Sequence, residues 1–217
     1  MTIRVALTDD HNILRSGLRL ILEQEPDMEV VAEADNGLAA VKIAAETKPD
    51  VIVMDLTMPK MNGIDATRRI KEQADDIGVL ILSVHIEKRY IIEALRVGAN
   101  GFMPKGCTSD ELISAIRAIA AHETYLSPKV AGIVVETFVR GGSTAQDEEA
   151  TASLLTPRER EVLQHIAEGK TTKETAFLLK LSGKTVDTYR MQIMRKLNLY
   201  SIAELTRFAI REGITPP

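Results

Sequence analysis

The stretch VIVMDLTMPKMNG, from Val51 to Gly63, decides the fold of the first half of the chain. Four apolar residues run directly into a carboxylate, Asp55, and turn residues follow at Pro59 and Gly63. A short, β-branched apolar run is typical of a strand buried on both faces of a sheet. Asp55 could simply begin a turn. It could instead present its carboxylate at the carboxyl edge of a parallel sheet, where α/β folds bind ligands.

Strands and helices alternate on both sides of this stretch, through residue 122. The predicted strands are Ile3–Thr8, Met28–Glu33, Val51–Met54, Val79–Ser83 and Gly101–Met103, and the predicted helices are Asn12–Glu23, Gly37–Thr47, Ile64–Gln73, Glu87–Val97 and Ser109–Ala121. This order predicts an α/β doubly wound, five-stranded parallel sheet over residues 1–122, with right-handed crossovers.

Residues 123–153 are predicted to connect this domain to a second one. Apolar residues predict a linker helix over Ser127–Val139, which Ser127 and Pro128 would start. The next stretch, GGSTAQDEEATAS from Gly141 to Ser153, is small, polar and acidic, which predicts a flexible linker.

Residues 154–217 predict a small all-α domain of four short helices. Thr156, Pro157 and Glu159 form a capping-box start for the first helix, Thr171 or Thr172 caps the second, Ser182 caps the third and Ile202–Arg211 is the fourth. Helices at this spacing, joined by short turns, are typical of a helix-turn-helix domain.

The composition limits the class of protein. The chain has 217 residues, 45% of them apolar, which suits one large domain or two small ones. Its single cysteine, Cys107, excludes an intramolecular disulfide. The sequence has no signal-peptide core and no apolar run near the ~18 residues of a membrane helix. We therefore expect a cytoplasmic protein without a membrane partner.

Charge is distributed unevenly between the two predicted domains. Residues 1–122 contain 14 Lys and Arg against 19 Asp and Glu, whereas residues 154–217 contain 11 against 7. A basic second domain suggests a polyanionic partner such as nucleic acid, although an excess of this size also arises by chance.

Carboxylates also follow the first predicted strand, at Asp9 and Asp10. Because strands one and three of such a sheet are neighbours, Asp9, Asp10 and Asp55 should converge. Three carboxylates repel one another unless a cation lies among them, and hard oxygen ligands suit Mg²⁺. Ser83 ends the fourth strand and Lys105 follows the fifth. Such a set could place a phosphoryl group on Asp55, although singly Asp10 could cap a helix, Ser83 end a strand and Lys105 lie on the surface.

Four segments together resemble the receiver domain of bacterial two-component response regulators: ALTDDHNILRSGL, VIVMDLTMPKMNGIDATRRI, VLILSVH and ALRVGANGFMPKG. The resemblance covers about residues 1–122. It implies that Asp55 is the phosphoacceptor and that Asp9 and Asp10 are the acidic metal pair. The backbone carbonyl of Thr57 would be the remaining protein ligand, and Thr57 and His85 occupy positions that tune dephosphorylation.

The same resemblance implies roles for three residues on the neighbouring strands. Ser83 corresponds to the switch hydroxyl and Lys105 to the phosphoryl-binding lysine. Phe102 corresponds to the aromatic switch residue, which is often Tyr and here lacks the hydroxyl group. The chain departs from the family after Lys105, where Gly106 replaces a cis proline and Pro104 precedes the lysine.

Three other uses of the sheet fit the sequence less well. A flavodoxin would bind a phosphate after its first strand, where Asp9 and Asp10 would repel it. A phosphatase of the haloacid dehalogenase type needs an acid two residues after Asp55, where Thr57 stands. A purely structural domain would not need the acid cluster.

The third predicted helix of the second domain has two distinct faces. Val186, Ile193 and Leu197, flanked by Tyr189 and Met194, form an apolar face that should pack on the preceding helices. The other face, which could enter a major groove, carries Lys184, Asp187, Thr188, Met191 and Arg195. Residues that could contact phosphates are Lys173, Lys184, Arg190, Arg195 and Lys196. The alternative is a solvated, charged helix in a bundle.

This domain resembles the LuxR-type helix-turn-helix of the NarL/FixJ response regulators, most specifically in LTPREREVL and in KTV, which contains Lys184 and Thr185. The resemblance implies that Asp187, Thr188 and Met191 read the bases. It also implies that the last helix pairs two DNA-binding domains through its apolar face, which comprises Ile202, Leu205, Phe208 and Ala209. Alternatively, this face closes the four-helix core.

Together these features predict a bacterial transcription regulator that phosphorylation switches. A histidine kinase would phosphorylate Asp55 and thereby change homodimerisation and binding to double-stranded DNA. We expect no enzymatic activity beyond self-phosphorylation from phosphodonors and slow autodephosphorylation. The alternative is a constitutive DNA-binding protein whose first domain serves only for dimerisation.

Overall fold

The structure is a computed structural model that describes residues 2–140 and 155–215. The chain divides into two compact units. The predicted linker Gly141–Ser153 lies outside the described residues. The first unit contains a sheet of six strands: β1 (Ile3–Thr8), β2 (Met28–Ala34), β3 (Val51–Asp55), β4 (Gly78–Ser83), β5 (Gly101–Pro104) and β6 (Tyr125–Leu126).

Six helices accompany this sheet: α1 (Asn12–Leu22), α2 (Gly37–Thr47), α3 (Gly63–Gln73), α4 (Lys88–Arg96), α5 (Ser109–Ala120) and α6 (Pro128–Arg140). The strand order is β2-β1-β3-β4-β5-β6 and every pair is parallel. The doubly wound parallel fold is therefore confirmed. The chain passes from β1 outward to β2 and then returns to β3 on the other side of β1, which creates a topological switch point at their carboxyl ends.

The sheet has one more strand than the five predicted. In β6, Tyr125 and Leu126 pair with Gly101 and Phe102 of β5. Two residues are too few to show strand periodicity, so the sequence did not reveal this strand. Helix α6 follows it and packs against α4 within the first unit. Residues predicted to form a linker thus extend the sheet and cover a helix.

The sheet is buried on both faces because its strands are almost entirely apolar. Val5, Leu7, Val53, Leu80 and Leu82 form a core with α1 and α5. On the opposite side, residues such as Ile52, Met54 and Ile81 are fully buried. Such two-sided burial explains why the strands appear in the sequence as continuous apolar runs rather than as alternating patterns.

Within residues 155–215, the second unit contains four helices: α7 (Pro157–Ala167), α8 (Thr172–Leu179), α9 (Gly183–Leu197) and α10 (Ile202–Arg211). Capping boxes start α7 at Thr156, α8 at Thr171 and α10 at Ser201, and the Ser182 side chain caps α9. These side chains satisfy amide groups that a helix start leaves without partners. The predicted all-α helix-turn-helix domain is therefore confirmed.

Candidate functional site

The carboxyl ends of β1 and β3 bring the predicted acids together. Thr8 pairs with Met54 in the register of these strands, so Asp9 and Asp55, which follow them, lie side by side. Both side chains are buried, with 2% of Asp9 and 4% of Asp55 exposed. Asp55 is the last residue of β3, and its carboxylate is at the switch point where ligands bind in such folds.

The ends of β4 and β5 complete the same edge. Ser83 pairs with Pro104, and the amide of Lys105 donates a hydrogen bond of 2.9 Å to the carbonyl of Ser83. The Lys105 Nζ lies 2.8 Å from Asp9 Oδ2 and 2.8 Å from Asp55 Oδ2. The ammonium group therefore bridges the two buried carboxylates and offsets part of their mutual repulsion.

Burial determines the protonation behaviour of this pocket. Burial, together with the charge of Asp9, raises the pKa of Asp55 to about 6, although Lys105 acts in the opposite direction. Burial lowers the pKa of Lys105, but the carboxylates of Asp55 and Asp9 outweigh it and the net pKa is raised. Burial and the Asp9 carboxylate therefore disfavour the ionised form of Asp55, and Lys105 offsets only part of this cost.

His11 joins the acids, which was not predicted from the sequence. Its Nδ1 hydrogen-bonds with Asp9 Oδ1 at 3.0 Å, and its backbone amide donates to the same oxygen at 2.8 Å. One ligand atom from each of Asp9, Asp10, His11 and Asp55 lies within 4.8 Å of the others. The only signal in the sequence was that His11 directly follows the acid pair.

The donor atoms suit Mg²⁺. Asp10 Oδ1 is buried and makes no hydrogen bond, while His11 Nδ1 lies 2.9 Å from it and hydrogen-bonds with Asp9 Oδ1. A buried carboxylate oxygen without a partner is costly unless a cation neutralises it. Thr57 Oγ1 is also buried without a partner. The role of the Thr57 carbonyl as a ligand stays a prediction.

Ser83 and Phe102 lie on their strands at the predicted positions. Ser83 is buried, and its Oγ accepts a hydrogen bond of 2.9 Å from the amide of His85. Phe102 is fully buried between Ile81 of β4 and Leu126 of β6 in the strand register. The roles of Ser83 and Phe102 in switching stay predictions.

Gly63 is the last residue of the stretch Val51–Gly63 and the first residue of α3. A Cβ atom added to Gly63 would lie 2.1 Å from the backbone oxygen of Asp55. The amide of Gly63 also donates a hydrogen bond of 2.8 Å to the carbonyl of Leu56. Helix α3 therefore begins in direct contact with the backbone that carries Asp55, and only glycine permits this approach.

Helix α9 has the two faces that its sequence predicts. Val186 and Ile193 are buried in the core of the second unit, and Tyr189, Met194 and Leu197 pack against that core. The opposite face is exposed and carries Lys184, Thr188, Met191 and Arg195. Lys173, on α8, is exposed as well. We call the exposed face of α9, together with Lys173, the α9 surface.

Four predicted DNA contacts are engaged within the domain, among them Thr188, whose Oγ1 donates a hydrogen bond of 2.9 Å to the carbonyl of Lys184. Asp187 Oδ1 lies 3.0 Å from Arg190 Nη2 and accepts a hydrogen bond of 3.4 Å from Thr172 Oγ1 of α8. Thr185 Oγ1 lies 2.7 Å from Ser182 Oγ. These contacts orient α8 and α9, so Asp187, Arg190 and Thr185 would have to exchange partners to contact DNA.

Lys196 is also bound inside the domain, although the sequence suggested it as a phosphate contact. Its Nζ forms an ion pair of 2.7 Å with Glu159 Oε2 of the α7 capping box. Its ammonium group therefore connects α9 to the start of α7. Arg195, its neighbour, is exposed.

Three of the four residues predicted to pair two domains through α10 are instead buried in the core of the second unit. Leu205 and Ala209 are fully buried and Phe208 is 4% exposed, all within the core of the second unit. These three residues close the four-helix core and present no apolar surface to a partner. Of the predicted set, only Ile202 is exposed, at 47%.

A doubly wound sheet with buried acids at its switch point, followed by a helix-turn-helix domain, defines a two-domain regulator. Comparison with known families supports this class. Residues 5–117 match the response regulator receiver domain, and residues 153–209 match the luxR family of bacterial regulatory proteins. The chain therefore belongs to the two-component response regulators with a LuxR-type DNA-binding domain.

Individual relatives extend over nearly the whole chain. Oxygen regulatory protein NreC of Staphylococcus carnosus is 38% identical over 215 residues, which cover 97% of this chain and 98% of NreC. Response regulator UvrY of Escherichia coli K12 is 35% identical over 212 residues, which cover 98% and 95%. The structure of the response regulator RcsB of Salmonella typhimurium is 25% identical, with a TM-score of 0.59, and covers 95% of this chain and 97% of that one.

No helix within residues 2–140 and 155–215 is both long enough and apolar enough to cross a membrane.

Proposed function

We propose that Asp55 accepts a phosphoryl group from a sensor histidine kinase or a small phosphodonor, and that this modification controls binding to double-stranded DNA. The observation that carries the proposal is the position of Asp55, a buried carboxylate at the switch point, 2.8 Å from Lys105 Nζ and beside Asp9. A nucleophilic carboxylate, a fixed cation and a second acid are the groups that phosphoryl transfer to Asp requires.

In the transfer step, an Asp55 oxygen attacks the phosphorus atom of the donor. The bond from phosphorus to the donor nitrogen or oxygen breaks, and the donor atom leaves with the electron pair. The product is an acyl phosphate on Asp55. Lys105 Nζ, which contacts Asp55 Oδ2 in the unmodified protein, would turn to the new phosphoryl oxygens, as would the hydroxyl of Ser83.

Asp9, Asp10 and Asp55, with the Thr57 carbonyl, would hold Mg²⁺. Bound there, Mg²⁺ would neutralise charge on the phosphoryl oxygens and on the attacking carboxylate. Asp10 Oδ1 supports this assignment, because it is buried without a hydrogen bond and has only His11 Nδ1, at 2.9 Å, as an ion-pair contact. So does the raised pKa of Asp55, about 6, which reflects its burial first and the neighbouring Asp9 charge second.

Phosphorylation would act on the rest of the protein through Ser83 and Phe102. When Ser83 turns toward the phosphoryl group, its Oγ would lose the hydrogen bond that it accepts from the His85 amide in this structure. A change at the ends of β4 and β5 would alter the surface formed by α4, β5 and α5. Two protomers would then associate, and two second domains would bind adjacent half-sites on DNA.

The α9 surface supports the DNA-binding part of the proposal. Lys184 and Arg195 are exposed there beside Thr188 and Met191, so cationic and polar groups face solvent together. Cationic groups contact phosphates, and polar groups in the major groove read base edges. The response regulator RcsB, a structural relative, has been studied in the context of DNA interaction.

The test is the intact mass of the protein after incubation with Mg²⁺ and a small phosphodonor. We expect the wild type to gain one phosphoryl group and Asp55→Asn to gain none. Asp65→Asn is the matched control, because Asp65 is equally buried, at 3% exposed, but lies outside the pocket. It should gain the group normally.

Equal labelling of Asp55→Asn and the wild type would refute the assignment of Asp55. No gain in any of the three proteins, even with a histidine kinase as donor, would favour the constitutive alternative. DNA binding would then be the same with and without the phosphodonor.

A further inference from the structure

Arg15 of α1 binds the backbone next to the acidic pocket. Strand β1 ends at Thr8, so the carbonyl of Asp9 lies beyond the sheet ladder. Arg15 Nη1 donates a hydrogen bond of 2.6 Å to this carbonyl oxygen. A buried carbonyl without a partner is costly, so a charged donor at this position stabilises the end of the strand.

The rest of the Arg15 guanidinium group is anchored on β2 and on the first turn of its own helix. Nε donates to Glu33 Oε2 of β2 at 2.8 Å, and Nη2 donates to Asn12 Oδ1 of α1 at 2.8 Å. The side chain is 16% exposed. The rigid, planar guanidinium therefore connects β1, β2 and the first turn of α1 in one fixed geometry.

The carbonyl that Arg15 binds belongs to the peptide bond between Asp9 and Asp10. Because a peptide unit is planar, the direction of this carbonyl also fixes the direction in which Asp10 leaves the strand. Other groups determine the Asp9 side chain, through the His11 amide at 2.8 Å and Lys105 Nζ at 2.8 Å. Asp10 Oδ1 has no hydrogen bond of its own. Apart from His11 Nδ1, which lies 2.9 Å from this oxygen, the position of Asp10 therefore depends on the backbone that Arg15 orients.

We propose that Arg15 is a positioning residue for the divalent cation site, which it serves by fixing the Asp9–Asp10 peptide. This inference rests on the proposed function of the pocket. Arg15 would act through this peptide, because its guanidinium hydrogen bonds go to the Asp9 carbonyl, Glu33 and Asn12. Groups that orient metal ligands in this way contribute roughly 10–100-fold to metal affinity in other proteins.

Arg19 provides a matched control on the same helix. Its Nη1 donates to Glu33 Oε1 at 2.8 Å, and its Nε donates to Glu23 Oε1 at 2.7 Å. Arg19 thus carries the same charge and shares the Glu33 carboxylate with Arg15. Its hydrogen bonds do not include the Asp9 carbonyl. Replacing Arg19 therefore removes a charge near the pocket without releasing the Asp9–Asp10 peptide.

The experiment is a calorimetric Mg²⁺ titration of the full chain and of Arg15→Met, Arg15→Lys and Arg19→Met. We expect Arg15→Met to bind Mg²⁺ roughly 10-fold more weakly. Arg15→Lys keeps the charge but cannot form the three-way fork, so it should remain several-fold weaker. Arg19→Met should stay within about 2-fold of the wild type, since surface charges have small effects.

The sign of the effect separates positioning from simple electrostatics. Removing a positive charge beside a cation site should strengthen Mg²⁺ binding, so a loss in Arg15→Met has to come from geometry. Far-UV circular dichroism and thermal unfolding without Mg²⁺ check that each variant is folded. If Arg15→Met does not fold, the comparison of Arg15→Lys with Arg19→Met decides.

Two results would overturn the inference in distinguishable ways. Equal Mg²⁺ affinities for the Arg15 variants, Arg19→Met and the wild type would refute the role of Arg15 and leave the proposed function intact. No Mg²⁺ binding by the wild type, together with no phosphorylation of Asp55, would refute the cation site itself and the role of Arg15 with it.

Discussion

The acidic pocket and the α9 surface expose their functional side chains in opposite ways. In the pocket, Asp55 is 4% exposed and its neighbours are set by the register of four adjacent strands. On the α9 surface, Met191 is 60% exposed and contacts mainly solvent. A strand end determines which groups meet, whereas an exposed helix face determines only a direction. In the acidic pocket, a proposed role can therefore be assigned to individual atoms. On the α9 surface, DNA binding can be assigned only to the surface as a whole.

Helix α10 is an intermediate case, because an amphipathic helix can bury its apolar face either in the core of its own domain or against a partner. Leu205 distinguishes the two, since it is fully buried in the core of the second domain. We expect Leu205→Ala to destabilise this domain by about 3 kcal/mol, the usual cost of such a cavity. Urea unfolding followed by circular dichroism measures the change.

Ile202→Ala serves as the control for this prediction. Ile202 is 47% exposed, so its truncation should change stability by no more than about 1 kcal/mol. If Leu205→Ala unfolds like the wild type but loses the ability to dimerise, Leu205 belongs to an interface and not to the core.

Replacing Lys105 tests whether its ammonium group stabilises the buried carboxylates of the pocket. Its Nζ lies 2.8 Å from both Asp9 and Asp55, and its side chain is 10% exposed. In Lys105→Met without Mg²⁺, two buried carboxylates would face each other without a cation. We expect a loss of about 2 kcal/mol in stability, below the cost of breaking a fully buried pair because some solvent screening remains. Added Mg²⁺ should raise the melting temperature of this variant more than that of the wild type.

Lys71 is the matched control, because its side chain is also 10% exposed but its partner Asp75 is 94% exposed. Burial lowers the pKa of Lys71, so the charge is already unfavourable there. Lys71→Met should be close to neutral in stability, with or without Mg²⁺. A similar loss in both variants would mean that lysine burial, and not the paired carboxylates, explains the effect at Lys105.

The sequence predicted most of the first domain because its signals are strong and repeated. Apolar runs that end in Asp9, Asp55 and Ser83 define strands and also the edge where their ends meet. The strand β6 escaped prediction because two residues carry no periodicity. Arg15 escaped because its contacts join residues 6 and 18 positions away, which only the folded chain brings together.

The second domain was predicted less completely, for a different physical reason. Helix limits followed from capping residues such as Thr156 and Ser182, and these side chains do cap their helices. The partners of the charged side chains could not be predicted from the sequence. The ion pair of Lys196 with Glu159 spans 37 residues, and helical spacing cannot distinguish a lysine that meets DNA from one that meets another helix.

The neighbours Arg195 and Lys196 give the smallest predicted effects, and they test which residues belong to the α9 surface. Arg195 and Lys196 are both exposed, but Lys196 Nζ is also paired with Glu159 Oε2 at 2.7 Å. We expect Arg195→Ala to weaken DNA binding by about 1 kcal/mol, uniformly across sequences, and to reduce the salt slope by about 1. Fluorescence anisotropy over a range of salt concentrations measures both quantities.

Lys196→Ala should behave in the opposite manner. It removes the same charge one residue away, but the first consequence is that Glu159, at the start of α7, loses its ion-pair partner and keeps its capping-box hydrogen bond with the Thr156 amide. We expect a small loss of stability in the second domain and little change in the salt slope of DNA binding. Equal salt slopes for the two variants would show that Lys196 leaves Glu159 when DNA binds. The ion pair would then be an exchangeable contact, and the α9 surface would extend to Lys196.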